Sequence, residues 1–118
     1  LEPVSVPVDE LPPAPPEPKA LLEGLKFANV PNPVTDVHTT KFVVLGPMSA
    51  LVEAIRVKVF DLSGRLVWEG VASGAELTWH TDDLTGKYLA NGVYLYRIEV
   101  KVLGEWVASG VLKLVINR

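Results

Sequence analysis

Few side chains in this chain are of types that do chemistry, and fewer are spaced to do it together. His80, Asp82 and Asp83 form one cluster, within Trp79-His80-Thr81-Asp82-Asp83. Carboxylates on an irregular loop are the hard oxygen donors that a Ca²⁺ ion takes in flexible geometry. Here the two Asp are adjacent, without the alternating Asp/Asn spacing of a dedicated calcium loop. Asp also favours turns through its local hydrogen bonds. Asp82 and Asp83 are therefore weak metal candidates, and a solvated turn is the simpler reading. His38 stands far from His80 in sequence, and Ser49, Ser63, Ser73 and Ser109 read as turn and strand serines. No paired carboxylates and no Ser-His-Asp spacing suggest general acid-base or nucleophilic work. The pattern predicts a chain that is not an enzyme and needs no cofactor.

Aromatic side chains are the other functional candidates. Trp68, Trp106 and Tyr88 are not assigned to a core by their surroundings, and an exposed row of such rings stacks on sugars or packs a partner protein. The competing reading has Trp68 and Trp106 shielding the faces of a sheet. Gly92-Val93-Tyr94-Leu95-Tyr96 has the spacing of a tyrosine corner, with Tyr96 where antibody-like domains carry their second Cys. Tyr94 then has a structural role, its ring buried and its hydroxyl bonded back to nearby backbone, with Gly92 at the sharp bend before it.

The elements that must position these groups are strands. Leu25 to Val30 is short and closes at Pro31-Asn32-Pro33, where two prolines impose extended backbone outside a ladder. Val37 to Leu45 follows. Leu51 to Phe60 alternates Ile55, Val57 and Val59 with Arg56 and Lys58, the period of a half-buried strand. Asp61-Leu62-Ser63-Gly64 has the Asp-first, Gly-last order of a type I turn, and Arg65 to Val71 returns with Leu66 and Trp68 on one face. Glu76 to His80 comes next, and residues 81–92 are the longest irregular connection. Val93 to Val102 places Tyr94, Tyr96, Ile98 and Val100 together. A hairpin at Leu103-Gly104-Glu105 leads into one long strand from Trp106 to Ile116. About seven antiparallel strands with turns between them and hardly any helical period predict an all-β, immunoglobulin-like or fibronectin III-like sandwich.

Seven of the ten prolines lie within residues 1–18, with Pro12-Pro13 and Pro15-Pro16 as doublets. Pro lacks a donor and fixes φ, so residues 1–23 are expected to be an extended, acidic linker, and residues 24–118 the domain. A ligand for an aromatic-lined groove is the alternative for that stretch. Glu2, Asp9, Glu10 and Glu17 precede the first basic residue, Lys19; the other ten of the 14 acidic residues then face all 11 basic ones. A nearly neutral domain lacks the footprint of a nucleic-acid binder. The absence of Cys excludes disulfides and thiolate sites. No apolar run is long enough to span a bilayer as a helix. The chain starts at Leu1 rather than Met, and is read as a piece of a longer protein.

Asn32-Pro33-Val34-Thr35-Asp36, the run Val59-Phe60-Asp61-Leu62-Ser63-Gly64-Arg65-Leu66-Val67 and Asn91-Gly92-Val93-Tyr94 together resemble the FlgD-type immunoglobulin-like module. They are similar also to the C-terminal sorting domains of type IX secretion substrates, whose ends often read like Lys113-Leu114-Val115-Ile116. The likeness covers roughly residues 27–118. It implies a non-catalytic module of a larger bacterial protein, secreted or on the cell surface, serving attachment, sorting or domain docking. The partners it implies are the other domains of the parent protein, or secretion and cell-surface machinery. Two alternatives come from the residues: a carbohydrate-binding accessory module that meets polysaccharide with exposed aromatics, and a structural spacer or assembly domain.

Overall fold

The longest alternating run builds the centre of the molecule. In a computed structural model, which describes residues 24–35 and 38–118, Gly92–Val102 forms an eleven-residue strand that buries Tyr96, Ile98, Val100 and Val102. It is β6 of the eight strands among the described residues: β1 (Lys26–Val30), β2 (Thr40–Leu45), β3 (Val52–Phe60), β4 (Leu66–Ser73), β5 (Glu76–Trp79), β6, β7 (Glu105–Ala108) and β8 (Leu112–Ile116). A 3-10 turn, Ser49–Leu51, precedes β3. The expected proline-rich linker 1–23, its boundary with the domain and the expected strand start at Val37 lie outside the described residues.

Two antiparallel sheets form, one in the order β1-β2-β5, the other β4-β3-β6 with β7 and β8 both on the far side of β6. Period-two alternation puts one face of each sheet inward, and the faces meet as an immunoglobulin-like sandwich. The core joins Phe42, Val44 and Trp79 to Ile55, Val57, Val59, Ile98, Val100, Leu114 and Ile116. Phe42 lies at its aromatic centre, 5.8 Å from Trp79, 6.3 Å from Trp68 and 5.1 Å from Tyr96 between ring centroids. The buried Trp79 indole donates to the Asp82 carbonyl at 3.0 Å, so its polar edge is satisfied. No helix among the described residues is long and apolar enough to cross a membrane.

Two details differ from the sequence pattern. Trp68 pairs with Val59 while Leu66 pairs with Phe60, leaving Val67 as an extra residue in a β-bulge. The bulge separates Leu66 and Trp68: Leu66 is exposed, Val67 is buried, and the Trp68 ring turns into the core. The single strand expected from Trp106 to Ile116 is two strands, interrupted at residues 109–111. There Ser109 replaces ladder geometry with its side chain. Its hydroxyl accepts from the Ile98 amide at 3.0 Å and donates to the Gly110 carbonyl at 2.7 Å, while its amide donates to the Ile98 carbonyl at 2.7 Å.

Candidate functional site

Every run that carries the family resemblance reaches the same end of the sandwich. β3 and β4 close there at Asp61-Leu62-Ser63-Gly64-Arg65, β6 begins there after Asn91, and β8 finishes there. The resulting site is β8, paired with β6 on one flank and held on the other by the Asn32 carboxamide, with the chain just past its end held by the Asn91 carboxamide. On the outer flank Asn32 donates Nδ2 to the Lys113 carbonyl at 3.1 Å and accepts from the Val115 amide at 3.1 Å. Val34 continues the contact: its amide donates to the Val115 carbonyl and its carbonyl accepts from Asn117, both at 2.8 Å. On the β6 side Asn91 donates Nδ2 to the Arg118 carbonyl at 2.8 Å and accepts from the Arg118 amide at 3.1 Å. The Arg118 guanidinium adds a donation to the Leu89 carbonyl at 2.7 Å.

These bonds resolve a hazard. The exposed edge of a terminal strand offers unpaired N–H and C=O groups to other chains. A carboxamide presents one donor and one acceptor at peptide-like spacing, so Asn32 acts as a short piece of a neighbouring strand. Flanking prolines suit it, because they have no amide donor to leave unpaired.

Beside the held strand stand two turns of the same design. Asp61 Oδ1 accepts from the Ser63 amide at 2.9 Å, the Ser63 hydroxyl at 2.5 Å and the Arg65 amide at 3.0 Å. Asp83 Oδ1 accepts from the Thr85 amide at 2.8 Å, the Thr85 hydroxyl at 2.6 Å and the Lys87 amide at 3.0 Å. Gly64 and Gly86 take positive φ, 89° and 86°, where a Cβ would be strained. The Ser63 hydroxyl, and then the Arg65 amide, hold the Asp61 carboxyl below its ordinary pKa; the Thr85 hydroxyl and the Lys87 amide do the same for Asp83. Leu62 and Leu84 sit exposed at the second position of the two turns. Between the turns lies an open recess of about 320 Å³, lined by Arg65, Leu66 and Val67 on one side and Asp83, Leu84, Thr85 and Leu89 on the other.

The residues singled out in the sequence are thus dispersed. Asp83 spends its Oδ1 on its own turn, and Asp82 lies in a bridge with Tyr88. Among the described residues no three His, Asp or Glu side chains gather as a metal site. His38 stacks on Tyr88 at 4.4 Å between centroids, and the Arg118 guanidinium lies 5.4 Å from the Tyr88 ring. Trp68 and Trp106 lie on opposite faces of the large sheet: Trp68 turns into the core, while Trp106 pairs outward with Lys101 and has the Arg56 guanidinium 4.5 Å from its ring. They do not form one row. Tyr94 donates its hydroxyl to the Ala90 carbonyl at 2.8 Å, beside Gly92 with φ of 153°. Burial raises the Tyr94 pKa, with Arg118 opposing and Asp61 reinforcing the shift.

The family model of the secretion system C-terminal sorting domain matches residues 30–113. The chain belongs to that family. Its members mark exported, cell-surface proteins of bacteria, the setting the sequence motifs implied. No curated protein matches this sorting domain by sequence. Among solved structures it is similar to dimeric latent PorU from Porphyromonas gingivalis, with 25% identity and a TM-score of 0.64 over 79% of this chain and 9% of that one. It is also similar to PorZ, an essential surface component of the type-IX secretion system of the same bacterium, with 21% identity and a TM-score of 0.58 over 82% of this chain and 12% of that one. FlgD from Xanthomonas campestris shares the fold, with 15% identity and a TM-score of 0.53 over 80% of this chain and 75% of that one. The sorting domain spans only 9% and 12% of PorU and PorZ.

Sequence reasoning missed two parts of the site. Asp83-Leu84-Thr85-Gly86-Lys87 repeats the pattern of Asp61-Leu62-Ser63-Gly64-Arg65, a signal legible in the letters themselves. The grip of Asn32 on β8 was not legible, because its two partners lie 81 and 83 residues away.

Proposed function

We propose that this domain is a non-catalytic sorting and attachment module of a longer exported protein, and that secretion machinery reads it at the end where β8 is held. The observation that carries this is the double carboxamide grip: Asn32 and Asn91, from two separate family-like runs, engage the backbone of β8 and of Arg118 just past its end. A signal must present one defined shape to its reader, and a strand locked on both flanks does so with little ordering cost on binding. The twin turns add exposed leucines and paired cations, Arg65 and Lys87, beside it. Membership of a sorting family and a fold shared with FlgD support a module without catalysis. Nothing in the placement of Trp68 and Trp106 favours a polysaccharide platform.

The test is to fuse the chain behind a periplasm-directed reporter in a bacterium with a type IX system. The reporter is expected at the cell surface, with export falling for Asn32→Ala and Asn91→Ala and unchanged for Trp106→Ala. A reporter retained in the periplasm with the unmodified domain would sink the proposal.

A further inference from the structure

Two demands of the fold meet at Asn91-Gly92. Gly92 has φ of 153°, a backbone that a residue with a Cβ rarely adopts, at the bend before Tyr94. Asn91 supplies the carboxamide that donates to the Arg118 carbonyl at 2.8 Å and accepts from the Arg118 amide at 3.1 Å. Side by side the two make a chemically labile pair. With no Cβ on Gly92, its amide nitrogen reaches the Asn91 Cγ and closes a five-membered succinimide. Of the four Asn in the chain only Asn91 precedes Gly; Asn29, Asn32 and Asn117 precede Val, Pro and Arg, and there is no Gln. We propose that Asn91-Gly92 is a spontaneous modification site, silent while the backbone just past β8 is docked and released when it lifts away.

Asn91 is exposed, so burial does not shield it from water. What holds the reaction back is that both reacting groups are in use. Arg118 fixes the carboxamide, and its guanidinium is anchored in turn to the Leu89 carbonyl at 2.7 Å. β8 holds the nucleophile. Lys113, Val115 and Asn117 turn backbone groups to the outer flank, toward Asn32 and Val34. Ile116 therefore turns its own toward β6 and exchanges ladder bonds with Gly92. Attack needs the end of β8 and Arg118 to open together, as a local event. The step then balances with water alone. A solvent base takes the Gly92 amide proton, the nitrogen bonds to Asn91 Cγ, and the Cγ–Nδ2 bond breaks as ammonia leaves with a solvent proton. Water opens the ring at either carbonyl: at Cγ to give aspartate, or at the main-chain carbon to give isoaspartate. Neither carboxylate can donate to the Arg118 carbonyl, and isoaspartate adds a methylene to the backbone, which breaks the register of Gly92 with Ile116. A brief opening of this end is thereby made permanent.

The test follows ammonia loss from the full chain in mildly alkaline buffer, by peptide mass spectrometry with chromatography that separates both products from the parent. In urea the peptide bearing Asn91 should convert steadily. In the folded chain it should convert at least about tenfold more slowly, in proportion to the time the end is open. Arg118→Pro has no amide to offer Asn91 Oδ1, so it should speed the folded reaction several-fold and leave the rate in urea unchanged. Asn32→Ala loosens β8 from the other flank without touching the reacting pair, and should speed it likewise. Ser109→Ala weakens the sandwich farther along β6, at Ile98, and should not. Equal rates in the folded chain and in urea would overturn the gate, and no conversion in urea would overturn the labile pair. A folded rate unmoved by both Arg118→Pro and Asn32→Ala would also sink the proposal. So would equal acceleration by Ser109→Ala, because global unfolding would then control the reaction.

Discussion

Asn32→Ala isolates the grip on β8. The change removes two hydrogen bonds, to the Lys113 carbonyl and from the Val115 amide, each 3.1 Å long. A neutral bond contributes a net ~0.5–1.5 kcal/mol, and water reaches this exposed site to replace part of it, so the pair should be worth about 1–2 kcal/mol. Val34 keeps its own bonds to Val115 and Asn117, so the strand should loosen rather than detach. Equilibrium urea unfolding should show a lower midpoint at unchanged slope, the sign of lost stability without a change in exposed area. Amide exchange should be local: Val115 should exchange roughly tenfold faster for about 1.4 kcal/mol of lost protection, while Val57 and Ile98 follow only the global change. Asn32→Asp sharpens the case. The carboxylate still accepts from Val115 but cannot donate to Lys113 O, and it sets a charge against that carbonyl. That repulsion raises the new carboxyl's folded pKa, so its penalty should ease as pH falls through that pKa and the protonated acid regains a donor. If Asn32→Ala leaves both the midpoint and the Val115 exchange rate unchanged, the carboxamide does not hold the strand and the argument for the site fails.

Other consequences follow from the packing. Ser109→Ala should cost about 1–3 kcal/mol by urea unfolding, because the buried Ile98 amide loses its 3.0 Å acceptor; a change within error would mean that water replaces the hydroxyl. Gly70→Ala should cost about 1–3 kcal/mol, since the new Cβ would run into Cη2 and Cζ2 of the Trp68 ring. That cost should vanish in a Trp68→Leu background, and persistence there would assign it to the backbone instead. Burial pushes the Tyr96 phenol up to about 12 from 10.0, with partial relief from the Asn29 backbone. The unfolded chain therefore gives up this proton first as pH rises. Stability should be full below pH 10 and fall by about 2–3 kcal/mol by pH 12. Unfolding of Tyr96→Phe across that window should lack this component of the slope, and an identical slope would refute it.

The fold was legible because its causes are local. Ile55, Val57 and Val59 alternate with Arg56 and Lys58, and Asp61 to Gly64 needs no distant partner to turn the chain. Tyr94 and Gly92 lie four residues or fewer from the Ala90 carbonyl that receives the hydroxyl. The second turn, Asp83-Leu84-Thr85-Gly86-Lys87, is legible on the same grounds, within the connection 81–92 that lacks strand periodicity.

What the sequence determined by itself is therefore most of the strands, most of their turns, the apolar face of the regular ones such as β3 and β6, and through its ordered motifs the family. Tertiary structure decided what those faces meet. A one-residue bulge at Val67 set Trp68 in the core and Leu66 in solvent, and Ser109 divided the last strand in two. It also made Asn32, an ordinary residue between two prolines, the clamp on a strand 81 residues away. Periodicity and turn chemistry act over a few bonds, whereas register and edge protection depend on which backbone the folded chain brings alongside, and no local pattern encodes that neighbour.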